Sequence, residues 1–383
     1  MTTARYDVVA IGNAIVDIIG RCDEQFLVSH GATKGAMTLV DADRIVSLYA
    51  SMGPGIESSG GSAANTMAGL ASFGGKAAFI GKVADDEFGK IFRHDLNAIG
   101  VKFDSPAIAE GDPTGRCLIL VTPDGERTMN TYLGISTDLD TTQLDPAVIR
   151  DSAIVYLEGY LFDKPAAKAA FREAVKMANA AGRQVALTLS DGFCVGRHRA
   201  EFLELIRAGI AILFANETEI MSLYETDSFD EAAKRAAADT KLAALTRSEK
   251  GSVILSNGQS ISIPVSPVAK VVDSTGAGDL YAAGFLFGVS QGFDLENPAA
   301  SPASPPPRSS ATSAHAPRPT SPASPGKPVC SRRLTLCCRL SYTSLICSCC
   351  SIDSICSAYP QSKLAIPQQI ELVAEANSSS RAD

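Results

Sequence analysis

The run Asp273-Ser274-Thr275-Gly276-Ala277-Gly278-Asp279 puts two glycines and a carboxylate where an apolar stretch gives way to a helical pattern carried by Leu280, Ala283 and Phe287. Glycines at a helix N-terminus leave the backbone N–H groups of Gly276, Ala277 and Gly278 open to an anion. The helix dipole favours negative charge at the same place. Asp279, in the first turn, faces that space and has the chemistry to take a proton from an attacking hydroxyl. The competing account is a glycine-rich turn in which Asp279 only caps the helix.

Other chemistries find no support. Gly69 to Lys76 superficially resembles a phosphate-binding P-loop, but its spacing puts Gly75 where lysine is required and Ala77 where Ser or Thr should follow. His30, His94, His198 and His315 show no metal-ligand spacing, and no Ser-His-Asp or Cys-His arrangement can be nominated. A net charge of −8 argues against nucleic-acid and membrane-surface partners, which need a basic face, and favours a small-molecule substrate. The start, Met1 to Tyr6, has no basic segment followed by an apolar one, and no apolar run of about 18 residues occurs, so a cytoplasmic location is expected.

The elements that must hold Asp279 in place read as an α/β fold. The apolar run Tyr6 to Ile11 ends at Gly12-Asn13, as a buried strand entering a turn does. A helix over Ala63 to Phe73, a strand over Ala77 to Ile80 and a helix over Asp86 to Ile99 follow. Two short runs around Pro123-Asp124-Gly125-Glu126 then predict an antiparallel hairpin between Cys117 and Leu133. Alternation resumes with strand Ile154 to Leu157, helix Pro165 to Ala181, strand Val185 to Leu189, helix Arg199 to Ala208 and strand Ile210 to Ala215. Helices through Ala237, strand Ala243 to Thr246, a hairpin over Ser252 to Pro264 and a helix from Ala277 complete the series. Strands alternating with helices imply a doubly wound, mainly parallel sheet with helices on both faces.

The run ending at Asp279 resembles the C-terminal motif of the ribokinase-like, PfkB-type carbohydrate kinases. Gly60-Gly61-Ser62-Ala63-Ala64-Asn65 with Gly74-Gly75, followed by Gly81-Lys82-Val83-Ala84-Asp85-Asp86-Glu87-Phe88-Gly89, is similar to the family's N-terminal motif. Gly12-Asn13 through Asp17 resembles its opening strand and turn. The resemblance spans about residues 5 to 292, with its motifs in the family's order. It implies a kinase domain over residues 1–297, with a small antiparallel lid sheet drawn from about 33–40 and 108–133 that closes over the substrate.

The resemblance further implies that Asp279 is the base and that Gly276, Ala277 and Gly278 form the anion hole. Asp17, Gly60, Gly61 and Asn65 would line the acceptor pocket, Asp17 by accepting hydrogen bonds from vicinal hydroxyls. The alternatives are a capping or solvated aspartate for Asp17, a helix-surface amide for Asn65 and a plain edge hairpin for the lid. Asn216 and Glu219, spaced N-x-x-E, resemble the element that holds water around Mg2+ and phosphates, an N-capped helix being the other account. Thr246, Ser248, Gly251 and Thr275 are implied in ATP binding, with Gly251 permitting close approach, and the resemblance implies that Asp273 and Ser274 border a monovalent-cation site for an ion such as K+.

Gly12-Asn13-Ala14-Ile15-Val16-Asp17-Ile18 and Gly159-Tyr160-Leu161-Phe162 look more like the adenosine-kinase branch, and Tyr160 or Phe162 has the ring to stack on a base. The expected reaction is ATP-dependent phosphorylation of a primary hydroxyl, with adenosine as first choice of acceptor. A kinase of ribose or another free sugar, and an inactive ligand-binding protein, are the competing readings. Either a monomer or a homodimer fits.

The composition breaks near Pro298. Eleven of the twenty prolines and seven of the ten cysteines fall in the last 83 residues. Ser301-Pro302-Ala303-Ser304-Pro305-Pro306-Pro307-Arg308 cannot be the helix that the family places here, because proline lacks the N–H and clashes with the preceding turn. The expectation for 298–383 is a disordered, low-complexity tail produced by a frame shift near Asn297 to Ala300. Back-translating Ser304 to His315 with synonymous codons and reading one nucleotide earlier gives, after one apolar residue, AAAEVISHFGA, a helix-like string in which two bases of each hidden codon are forced by this sequence and the third is chosen. Zinc binding by Cys330 to Cys356 is the weaker alternative, since no histidine lies nearby. Resequencing the coding region tests the frame shift, and an uninterrupted frame through the proline-rich tail sinks it.

Overall fold

The structure, a computed structural model, describes residues 4–265 and 276–293. The expectations for Asp273, Ser274 and Thr275, and for the tail from 298 onward, lie outside the described residues. In chain order the strands are β1 (Tyr6–Ile11), β2 (Ile15–Arg21), β3 (Met37–Leu39), β4 (Gly55–Gly60), β5 (Ala77–Ile80), β6 (Gly115–Val121) and β7 (Arg127–Tyr132). They continue as β8 (Ser152–Glu158), β9 (Gln184–Thr188), β10 (Ile212–Asn216), β11 (Leu242–Thr246), β12 (Ser252–Ser256) and β13 (Gln259–Ile263). The helices are α1 (Glu24–Ser29), α2 (Ala42–Ser51), α3 (Ser62–Ser72), α4 (Glu87–Ala98), α5 (Pro146–Arg150), α6 (Pro165–Ala180), α7 (Gly192–Gly209), α8 (Glu217–Tyr224), α9 (Phe229–Asp239) and α10 (Ala277–Ser290).

Eight strands form the main sheet in the order β13-β12-β11-β10-β9-β8-β1-β5. Neighbours from β5 to β11 are parallel, and β12 and β13 join antiparallel at the far edge. β1 and β8 are apolar throughout most of their length because both faces are covered. Val9, Val155, Leu187, Leu213 and Leu245 point into one core with Phe171, Phe202 and Leu223 of the helices on that face. Val8, Ile154, Ala186, Ile212 and Ala244 point into the other, against Met67, Leu70 and Phe285. The chain leaves β1 toward β5 on one side and toward β8 on the other, so the order reverses between β1 and β8. In open α/β sheets the crevice outside the carboxyl ends at such a reversal is where ligands bind.

The five-stranded small sheet runs β3-β7-β6-β2-β4. Its β6–β7 hairpin is the expected one, and antiparallel β2–β4 is joined to it by the parallel β2–β6 pair. The expected segment 33–40 supplies β3, paired parallel with β7. Two strands went unforeseen: β2, which carries Asp17, and β4, whose sequence GIESSG is too polar and glycine-rich to read as a strand and forms against the edge of β2. The hairpin begins at Gly115, and Ile108 contributes only an isolated bridge to Ala84. Helix α7 likewise starts at Gly192 rather than Arg199, capped by Asp191, with its helical geometry broken at His198.

Helices α3 and α10 pack against each other on one face of the main sheet. A Cβ at Gly69 would lie 2.9 Å from Ala283 Cβ and 3.0 Å from Leu280 Cδ1. Glycine there lets the two helices approach closely, which brings the first turn of α10 to the first turn of α3.

Candidate active site

The carboxylate of Asp279 sits in the first turn of α10, whose N-cap, Gly276, adopts a left-handed φ of 73°. Ser62 Oγ donates to Asp279 Oδ1 at 2.7 Å, and Asn65 Nδ2 donates to Oδ2 at 3.3 Å. Asp279 keeps part of its surface open, yet the protein crowding it pushes its pKa up to about 6, against the pull of the Ser62 and Asn65 donors. Gly278 is exposed, and a Cβ there would meet nothing within 4 Å among the described residues. Among the expected acceptor-pocket residues, Asn65 is therefore a partner of Asp279 rather than a helix-surface amide.

Gly60 and Gly61 form the step from β4 into α3. Gly61 has φ 94°, and a Cβ on it would fall 2.5 Å from the Asn13 carbonyl oxygen. At Gly60 a Cβ would fall 2.3 Å from the Asp17 carboxyl group. Asp17 is thus a strand residue standing beside the glycine step, not a cap or loose turn aspartate.

A buried polar group that the sequence reading did not single out completes this end of the cleft. Glu158, at the carboxyl end of β8, is 1% exposed. Its Oε1 accepts from Asn13 Nδ2 at 2.7 Å and Asn13 N at 3.3 Å, and its Oε2 accepts from Ala63 N at 2.8 Å. Asn13 Oδ1 in turn accepts from Ser136 Oγ at 2.9 Å. Desolvation raises the Glu158 pKa to about 7, the three donors holding it lower than burial alone would. The available signal was a lone carboxylate ending an otherwise apolar strand, directly beyond Leu157.

Of the two aromatic candidates, only Tyr160 borders the cleft. It is 38% exposed, whereas Phe162 is fully buried and stacks on Phe202 with centroids 4.2 Å apart. Burial, with Asp191, Glu219, Glu158 and Asp279 nearby, raises the Tyr160 pKa.

Farther along the carboxyl edge, Asn216 and Glu219 make a reciprocal capping box on α8. Asn216 Oδ1 accepts from Glu219 N at 2.8 Å, while the Glu219 carboxylate accepts from Asn216 N at 3.0 Å and Asn216 Nδ2 at 2.6 Å. The capping account is therefore realised, and lone pairs on both Glu219 oxygens remain for a water. Desolvation, with Asp191 adding to it, raises the Glu219 pKa to about 7. Thr246 ends β11, and Ser248 opens the following turn at φ 49°. The glycine at 251 has a packing reason: φ is 86°, and a Cβ would lie 2.1 Å from the Ile263 carbonyl oxygen.

A model of the pfkB family carbohydrate kinases matches residues 55–301. The chain belongs to the pfkB family of carbohydrate kinases. It is 32% identical over 60% of its length to an ATP-dependent ribose-1-phosphate kinase of Halopiger xanaduensis, covering 73% of that protein. Among solved structures, the adenosine kinase of Sinorhizobium meliloti is 55% identical, with a TM-score of 0.71 over 76% of this chain and 90% of that one. A probable sugar kinase of Rhizobium etli is 50% identical, with a TM-score of 0.71 over 77% and 90%. The expected ribokinase-like fold and the adenosine-kinase-like branch are borne out, and the protein is an ATP-dependent sugar or nucleoside kinase.

Kinases of this family use ATP, generally with Mg2+. Among the described residues no three His, Cys, Asp or Glu side chains cluster as a metal centre. Mg2+ is usually held by one or two carboxylates, waters and substrate phosphates rather than by a protein cage. Glu219 is a buried carboxylate with lone pairs left over from the capping box, and a nearby cation would favour its ionised form. No helix among the described residues is long and apolar enough to cross a membrane.

Proposed function

We propose that this kinase transfers the γ-phosphoryl group of ATP to the 5′-hydroxyl of adenosine, giving the monophosphate and ADP. The observation that carries this reading is the placement of Asp279 at the N-terminus of α10, beside Ser62 and Asn65, with Tyr160 presenting a half-exposed ring near the same cleft. Asp279 accepts the proton of the attacking hydroxyl as its oxygen bonds to the γ-phosphorus and the bond to the β,γ-bridging oxygen breaks. With a pKa of about 6 it is mainly ionised at neutral pH and ready for that role. The amides of Gly276, Ala277 and Gly278 stabilise charge on the transferred group. Bound Mg2+ would supply neutralising charge to the phosphates, and Glu219, with Asn216, would orient its waters. Asp17, Gly60, Gly61 and Asn65 hold the acceptor's sugar, Tyr160 its base, while Thr246, Ser248 and Gly251 border ATP.

Phosphorylation of a sugar or sugar phosphate is the second reading, favoured by the likeness to the ribose-1-phosphate kinase. Turnover with adenosine and with ribose, measured on one purified sample, separates the two, and turnover with ribose alone sinks the first. The Asp279→Ala variant is expected to lose activity by about 1,000-fold or more, and retained activity would overturn the proposed base.

A further inference from the structure

The family-like run Gly81 to Gly89 is bonded to the foot of the small sheet. Asp86 caps α4 by accepting from Gly89 N at 2.8 Å, and the same carboxylate accepts from Thr114 N at 2.9 Å and Thr114 Oγ1 at 2.7 Å. Thr114 Oγ1 itself accepts from Ala84 N at 3.0 Å. Thr114 is fully buried and immediately precedes β6. Gly89 must lack a side chain, since a Cβ would lie 2.1 Å from the Ala84 carbonyl oxygen.

Two residues on, Arg116 is 8% exposed, with its guanidinium 5.0 Å from the Phe88 ring centroid and no hydrogen-bond partner on Nε among the described residues. At the other end of α4, Asp95 accepts from Ser59 N of β4 at 3.0 Å. Helix α4 therefore holds the small sheet at two strands through carboxylates. An apolar joint would tolerate sliding, whereas directional bonds from the buried Thr114 and from the Ser59 amide to half-buried carboxylates favour one orientation. Within the sheet, Arg116 pairs opposite Val16 and Cys117 opposite Asp17, so a shift of β6 at its foot reaches Asp17 through a single ladder.

We propose that Asp86, Thr114 and Arg116 are positioning residues for phosphoryl transfer: they lock the foot of the small sheet onto α4 and thereby set where Asp17 stands over the acceptor. This rests on the reading of the small sheet as the acceptor-binding lid. It assigns a physical role to the motif residues Asp86, Phe88 and Gly89, which lie apart from the reacting groups.

The test compares the full chain with Thr114→Val, which keeps the backbone bond but removes the hydroxyl, with the rescue variant Thr114→Ser, and with Arg116→Met. Amide hydrogen exchange without ligand is expected to quicken about tenfold in β2, β4, β6 and β7 of Thr114→Val and Arg116→Met, with β8 to β11 unchanged and Thr114→Ser like the parent. Equal quickening in both sheets, or none in either, overturns the proposal. Using whichever of adenosine or ribose the unaltered chain turns over, KM for that acceptor should rise about tenfold with kcat within about twofold, and a fall in kcat at unchanged KM also overturns it. The exchange measurement needs no acceptor, so it stands if the adenosine reading fails.

Discussion

Ser62 Oγ donates to Asp279 Oδ1 at 2.7 Å across 217 residues of sequence, joining the first turn of α3 to the first turn of α10. The bond favours the ionised carboxylate and works against the desolvation that raises its pKa to about 6. Removing it with Ser62→Ala should move the acid limb of the kcat–pH profile upward, because less of the base is ionised at any given pH. An unmoved limb would dissociate Ser62 from the titration of the base.

The same juxtaposition depends on Gly69, whose missing Cβ lets α10 lie against α3. Gly69→Val is expected to cost about 1–3 kcal/mol of stability through overpacking. Its kcat should fall further than that of a surface substitution of equal stability cost. Urea unfolding and steady-state kinetics on the same samples check both.

Glu158 has a pH signature. Its pKa rises on folding from 4.5 to about 7, so the folded state holds the proton more tightly than the unfolded chain. Stability from this group is therefore greatest below the unfolded value and falls as pH rises through 7. Against Glu158→Gln, which cannot titrate, the unaltered chain should lose up to about 3 kcal/mol of relative stability between pH 4.5 and 7 and little beyond. Denaturant midpoints across that range, parallel for the two proteins, would refute it.

Glu219 offers a separation of structure from metal handling. Glu219→Gln keeps the size but weakens the capping box with Asn216, at a cost of about 1 kcal/mol. If the carboxylate orients waters around Mg2+, the Mg2+ concentration for half-maximal rate should also rise several-fold. A stability loss with unchanged Mg2+ dependence assigns Glu219 to the cap alone.

Local chemistry determined much of this protein. Apolar runs such as Tyr6–Ile11 and Ile212–Asn216 are legible because strands buried on both faces need no alternation, and the glycines before Asp279 announce a helix N-terminus open to an anion. Tertiary structure decided what a linear pattern does not encode. β4 forms from a polar segment because β2 supplies its partner edge, and Phe162 was separated from Tyr160 by which side of one turn meets the core. Glu158 gained its place because three donors from Asn13 and Ala63 converge on it only when the ends of β1 and β8 and the start of α3 come together. The residues at each end of these bonds are far apart in the chain, so only packing of the elements brings the charge and its partners within reach.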